Sequence, residues 1–288
     1  MKNRFARLDL MLIALVVSMI PLQELSAQYY YRDLELSKQN QLQQQLYRKN
    51  KVGQLTLKSF ESNGAPTERF VCEQGFNKNY SVSRTFTNGE LTGPSSLTAY
   101  YNGKGQLYRS VDSSRESMST YEYQYDSLGR LSLVSSSSLA YGDKSKVIET
   151  HQWIYGMNSC PEKMLRIKNG TDTTEVRLSC DEKGNVTEEE SLSKNGSAEK
   201  IYYYYDSLNR LTDVVRYNPR IKKLIPDYLF EYNENNQLTQ MISVQQGSSD
   251  YLTWKYGYGE NGLKAGELCY DKQKQLLGKI TYEYEYRK

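Results

Sequence analysis

The chain has 288 residues, 25% of them charged, with a formal net charge of +3. That balance argues against a nucleic-acid partner, which needs a cationic face. Tyrosine supplies most of the amphipathic surface, with 27 Tyr against two Trp and six Phe, and the length suits one sizeable domain.

Residues 1–27 read as a secretory signal peptide. Lys2, Arg4 and Arg7 form a basic start, and Leu10 to Ile20 an apolar run of 11 residues. That run is too short to span a membrane. Leu25-Ser26-Ala27 offers small residues for cleavage before Gln28, and no Cys nearby suggests a lipid anchor. The alternative is an uncleaved anchor. Cleavage removes three basic and two acidic residues, leaving 34 against 32. The expected address is periplasmic, outer-membrane-associated or secreted.

Residues 28–50 are rich in Gln and Leu and lack Gly and Pro. Leu34, Leu42 and Leu46 fall at helical spacing, which predicts a short helix or a loose arm. Such an element serves either as a cap over the first strand or as a partner-binding helix.

From Val52 the period changes to two, and residues 51–288 form the second region. Tyr121, Tyr123 and Tyr125 alternate with polar residues, as do Ile280, Tyr282, Tyr284 and Tyr286. Strict alternation predicts an antiparallel sheet with one buried face. Polar return turns are expected at Ser135 to Ser138 and at 194–196, 218–220 and 246–248. The fold class is all-β, a meander of successive hairpins with roughly 16 strands, spiralled or barrel-like.

A heptad organises this region: aromatic, Asp/Asn, x, x, Gly/Asn, polar, aliphatic. Tyr125-Asp126-Ser127-Leu128-Gly129-Arg130-Leu131 is one copy and Tyr205 to Leu211 nearly duplicates it. Tyr101 to Leu107, Cys180 to Val186 and Tyr232 to Leu238 follow the same plan, while Phe76 to Val82 and Tyr270 to Leu276 fit less well. Starts at 76, 101, 125, 180, 205 and 232 recur at intervals near 25 residues, with a degraded unit around Tyr155 in the gap of 55. Such a period marks a repeat architecture. The first turn position, Asn102, Asp126, Asp181, Asp206 or Asn233, can bond its own backbone. The fourth, Gly105, Gly129, Gly184, Asn209 or Asn236, needs positive φ. Each copy therefore predicts a tight hairpin with a bulge.

These residues resemble the YD repeat of the Rhs family over roughly residues 70–288. The resemblance implies an extracytoplasmic sheet whose hairpins wrap into a spiral or shell. The chain is too short for the long shell of the toxin-carrying members, and the toxin function is not carried over.

Four cysteines allow three pairings. Cys160 and Cys180 are nearest in sequence and could clip the degraded unit to its neighbour, while buried free thiols are the alternative. No CxxC occurs and His151 is the one His, which leaves no metal set. With no serine elbow and no paired acid beside it in sequence, His151 reads as a strand-surface residue. Gly257-Tyr258-Gly259-Glu260-Asn261-Gly262 matches GxGxxG, but a dinucleotide site must open a helix. It reads instead as a repeat turn shortened by one residue. Glu188, Glu189 and Glu190 read as a solvated edge. Most Tyr rows read as core, and Trp153 and Trp254 are the candidate exposed ligand contacts.

No catalytic residue or cofactor site emerges. The leading expectation is a non-enzymatic exported scaffold contacting cell-surface protein or polysaccharide. The alternatives are a small outer-membrane β-barrel, which would associate with membrane through strands and not a helix, and a carbohydrate-active enzyme.

Overall fold

The computed structural model describes residues 29–90, 92–143, 145–156, 159–192, 198–218, 220–244 and 249–288. The residues read as a signal peptide and the return turns expected at 194–196 and 246–248 lie outside them. One helix, α1 (Arg32–Lys49), precedes β1 (Val52–Glu61), β2 (Val71–Phe76), β3 (Val82–Asn88), β4 (Ser95–Tyr101), β5 (Leu107–Ser113) and β6 (Ser117–Tyr125). Then come β7 (Leu131–Ala140), β8 (Val147–Tyr155), β9 (Pro161–Lys168), β10 (Asp172–Cys180), β11 (Val186–Leu192) and β12 (Ala198–Tyr205). The last six are β13 (Leu211–Asn218), β14 (Lys223–Tyr232), β15 (Leu238–Val244), β16 (Tyr251–Tyr258), β17 (Lys264–Tyr270) and β18 (Leu276–Tyr286).

Every strand pairs antiparallel with its sequence neighbours, and β1 pairs with β18 as well as β2. The 18-stranded sheet thus closes on itself as a barrel, which leaves no exposed edge. Eighteen strands exceed the roughly 16 expected because alternation, not the motif, makes a strand. In the degraded unit, for example, β8 and β9 pair as a hairpin with Tyr155 opposite Pro161. Ser135 to Ser138 is not a return turn but the middle of β7, and Ser136 and Ser138 bond across the sheet to Glu149 and Ser119.

The heptads turn alike. In the Asp126 copy, Asp126 N–H donates to Arg130 C=O and Gly129 N–H to Asp126 C=O. The copies at Asn102, Asp181, Asp206, Asn233 and Asp271 repeat both bonds. The Asp206 side chain accepts from the N–H groups of Leu208 and Arg210, closing the turn from inside. The main-chain N–H of Arg210, against some desolvation and helped by its guanidinium, holds the Asp206 carboxyl below the usual range. Positive φ falls at the fourth turn position, +80° at Gly129 and +59° at Asn209. Gly259 to Leu263 makes the same two bonds, with Tyr258 opposite Lys264. This turn is therefore full length, not shortened by one residue; Gly259 occupies the Asp position, and the Asn261 side chain bonds Leu263 N–H in its place.

All these turns but Asp271 to Gln275 gather at one rim of the barrel, because they join alternate strand pairs. The two larger of four buried clusters line the wall behind them. One joins β7 to β13 through Val134, Trp153, Met164, Val176, Tyr203 and Val214. The other joins β14 to β18 with β1 and β2 through Leu57, Cys72, Met241, Trp254 and Ile280. Tyr228 and Phe230 pack against both. Each fully buried aliphatic contributes roughly 1.5–3 kcal/mol.

The helix lies across the rim. Its residues are good helix formers, with Asp33 and Glu35 in the first turn and Arg48 and Lys49 in the last, matching the helix dipole. Gln44 is buried and donates to Tyr80 C=O, Gln41 to Lys104 C=O and Arg48 to Asn79 C=O, all in rim turns. The helix thus caps the barrel mouth rather than the first strand alone.

Candidate functional site

The repeat tyrosine has a role that its place before a turn did not reveal. Tyr125 OH donates to Leu107 C=O, Tyr155 to Leu131, Tyr205 to Val186, Tyr232 to Leu211 and Tyr258 to Leu238, each at 2.8–2.9 Å. The acceptor is always the first strand residue after a preceding turn, the seventh position of its heptad. Each hydroxyl crosses one hairpin and ties the rim together. The polar sixth position adds a second link: Gln106 Nε2 donates to Gly129 C=O and Arg210 Nη1 to Asn233 C=O. The Arg130 guanidinium stacks 4.1 Å from the Tyr155 ring centroid.

Beneath the start of the helix lies a polar cluster assembled from residues far apart in sequence. Tyr30 N–H and Tyr31 N–H donate to the two oxygens of Glu189 at 2.9 and 2.8 Å, and Tyr203 OH donates to the same carboxylate at 2.9 Å. His151 Nδ1 lies 2.6 Å from Asp33 Oδ2 and Nε2 lies 3.1 Å from Glu149 Oε1. Arg166 Nη2 donates to the other Glu149 oxygen at 2.6 Å. The Tyr30 ring stands edge-on to His151 at 5.3 Å, and Tyr29 and Tyr31 pack on Tyr203.

Burial sets the electrostatics here. Desolvation pushes Glu189 up to about 7, against its three hydrogen bonds. Desolvation opposes the charged form of His151, but the Asp33 charge and hydrogen bond, with those of Glu149, raise it to about 9. Desolvation likewise resists ionisation of Glu149, but hydrogen bonds from His151 and Arg166 bring it down to about 2.

Three sequence expectations change. His151 is not on the surface: it is 1% exposed, between Glu149, two residues back on its own strand, and Asp33, 118 positions away. Glu189 is not part of a solvated edge, because alternation turns it inward while Glu188 and Glu190 face out and pair with Lys200. Trp153 and Trp254, at 3% and 1% exposure, are buried and not the exposed aromatics expected. They occupy inward positions of β8 and β16, where their area fills the two cores. Aromatics the surface does offer include Tyr204 and Tyr217, 45% and 39% exposed on the outward face of β12 and β13. Their outward parity could have been read from alternation with Tyr203 and Arg216.

Cys160 and Cys180 form a disulfide with a Cα–Cα distance of 6.2 Å, linking the β8–β9 turn to the end of β10. Cys72 and Cys269 are free and buried, and desolvation pushes both thiols up to about 12. A cavity of about 80 Å³ lies under the second half of the helix, lined by Gln43, Gln44, Tyr47, Cys72, Gln74 and Tyr101 among others.

No family model matches this chain, and no curated protein does. Among solved structures it is similar to a chain of the TcdB2-TccC3-Cdc42 crystal structure, at 12% identity and TM-score 0.34, over 75% of this chain and 12% of that one. The Photorhabdus luminescens Tc holotoxin pore gives 11% identity and TM-score 0.34, again over 75% and 12%. A porin-like protein from Bacteroides uniformis gives 9% identity and TM-score 0.41, over 82% of this chain and 97% of that one. The chain thus spans about an eighth of the toxin chains it matches. These likenesses concern the path of the chain; a closed barrel of 18 strands is also the architecture that the outer-membrane alternative required.

Proposed function

We propose that the chain is a non-enzymatic, exported scaffold of the cell envelope or extracellular space, with YD-type repeats wound into a closed barrel. Its outward face makes the contacts, with protein or polysaccharide. The supporting observation is the chemistry of that face. Lys58 pairs with Glu283 at 2.6 Å across β1 and β18, in mid-strand. Glu175 pairs with Lys163 and Arg177, and Lys200 with Glu188 and Glu190. Glu73, Arg84, Arg109, Glu122, Lys255 and Lys279 also face outward and are exposed. Charges on so many strands suit water. A non-enzymatic role fits His151, whose two nitrogens both face carboxylates and leave neither for a substrate.

The second reading, an outer-membrane barrel, is favoured by closure and by the even strand number. It places these charges against lipid, where each Lys or Arg near the midplane costs about 2–4 kcal/mol. Fractionation separates the two. The scaffold reading expects release of the protein into the soluble envelope fraction or medium without detergent. Retention in membranes until detergent is added establishes the barrel instead. A glycan array and a pull-down that both come up empty count against the contact role.

A further inference from the structure

An exposed tyrosine leaves apolar ring area in water, and elsewhere on the barrel the chain engages such residues itself. Tyr108 packs on Tyr100 at 6.2 Å, the Tyr141 hydroxyl lies 3.4 Å from Ser113 Oγ, and Tyr286 stacks on Tyr284 and accepts from Asn261. The outward face of β12 and β13 differs. Tyr202 is half-buried there, and Tyr204 and Tyr217 are exposed. Among the described residues, none of these three side chains meets another ring, a cation or a hydrogen-bond partner. Register places them in one row. Tyr202 and Tyr204 are successive outward positions of β12, about 7 Å apart. Tyr202 stands opposite Val215, and Tyr217 is the next outward position of β13, about 7–8 Å away on the diagonal. The row thus runs roughly 14 Å along the wall.

Carboxylates flank the row. Asp213 stands opposite Tyr204 and Glu188 opposite Tyr202. Lys200 holds Glu188 at 2.6 Å, whereas the Asp213 carboxylate has no partner among the described residues. A sugar ring matches this pattern. One of its faces carries C–H groups that lie flat on an aromatic ring, and its edge carries hydroxyls that donate to a carboxylate. The same carboxylates repel an acidic sugar. The exposed cations Arg220, Lys222 and Lys223 lie beyond Tyr217, past the end of the row. We propose that Tyr202, Tyr204 and Tyr217 form a stacking platform for a neutral polysaccharide, with Asp213 accepting from its hydroxyls beside Tyr204. This rests on the scaffold reading, in which the outward face meets water, and it names one of that reading's two partner classes and the place of contact.

Affinity electrophoresis of the full chain tests this, in native gels cast with dextran, laminarin, xyloglucan or galactomannan, and with polygalacturonate as the acidic polymer. At least one neutral polymer should retard the protein. Tyr204→Ala/Tyr217→Ala should weaken that retardation about tenfold or more, and each single variant about threefold. Tyr204→Phe/Tyr217→Phe keeps the rings and should stay within about threefold of the parent. Tyr100→Ala/Tyr108→Ala, at the other exposed pair, should bind as the parent does, and melting curves check that every variant is folded. Retardation that survives the loss of Tyr204 and Tyr217, or that falls equally in the Tyr100/Tyr108 variant, overturns the platform. Retardation by polygalacturonate alone overturns it in favour of the cations beyond Tyr217. No retardation by any polymer overturns it as well; the contact role then stands only if the pull-down captures a protein, and falls with the platform if it does not.

Discussion

Glu189 and Glu267 stand at the same place in their repeats, three residues after the end of a rim turn, on the inward face. Val134, Val214 and Met241 occupy that place elsewhere and simply fill the core. Both acids are 1% exposed, yet each solves its burial differently. Glu267 takes Lys264 at 2.7 Å from its own strand and the Tyr282 hydroxyl from the next. Glu189 takes Tyr203 and two main-chain N–H groups of the N-terminal segment. A buried carboxylate must be met by donors, and the two halves differ in where those donors come from. One half draws its donors from the repeats, on Glu267 Oε1 alone, with Oε2 buried and without a hydrogen-bond partner among the described residues. The other is completed by a segment outside the repeats, and also carries the disulfide, while the free thiols lie in the first.

Replacing each acid by the residue its repeat position otherwise holds breaks that comparison most strongly. Glu189→Val leaves two N–H groups and a hydroxyl without their acceptor, at about 1–3 kcal/mol for each orphaned donor. Glu267→Met orphans one hydroxyl, since Lys264 is partly exposed and can turn to water, and should lose only about 1–2 kcal/mol. Chemical denaturation of the two variants should show Glu189→Val well below Glu267→Met; equal losses would mean that the N-terminal segment adds nothing.

Reduction of Cys160–Cys180 comes next. Closing a loop of this size is worth about 3 kcal/mol in the unfolded-chain account. Dithiothreitol should lower the denaturation midpoint and loosen exchange in β9 to β11, with β16 to β18 little changed.

The pH dependence sharpens the contrast further. Glu189 and His151 have folded values above their unfolded ones, so their stabilisation is complete below the unfolded values. It is lost as pH rises from 4.5 towards about 7 for Glu189 and from 6.5 towards about 9 for His151. Glu149 works the other way: its contribution is present above 4.5 and lost as pH falls towards about 2. Stability from this cluster should therefore peak near pH 4.5, fall towards pH 2 as Glu149 is protonated, and fall above 4.5 first through Glu189 and then, beyond 6.5, through His151, on the order of 1.4 kcal/mol per unit shifted. Melting curves across this range check it, and Glu189→Val should flatten the neutral limb.

The smallest effect should be the same in both halves. Tyr205→Phe and Tyr258→Phe each remove one rim hydroxyl and should lose about 1 kcal/mol. Tyr204→Phe, outward and half-exposed, should change stability within about 0.5 kcal/mol. Unequal losses for Tyr205 and Tyr258 would show that the rim ties are not equivalent.

Much of this architecture was written locally. An Asp or Asn, two ordinary residues and a Gly or Asn close a turn by their own hydrogen bonds, wherever the chain carries them. Alternation of Tyr with polar residues decides which side faces in. Those two signals reach only a few residues along the chain, so the hairpins, their bulges and the all-β class were legible before any coordinates. The sequence also offered a short helix, or a loose arm, over residues 28–50. What it could not supply was anything that depends on strands far apart. Whether β1 meets β18 is a matter of accumulated twist and shear. That Trp153 and Trp254 are core follows from their inward parity on a sheet that closes. That His151 finds Asp33 118 positions away and Glu189 finds Tyr31 158 positions away follows from the helix folding back over the rim. Turn chemistry is a property of neighbours in the chain, whereas closure and the buried polar cluster are properties of neighbours in space, and only the tertiary structure brings those together.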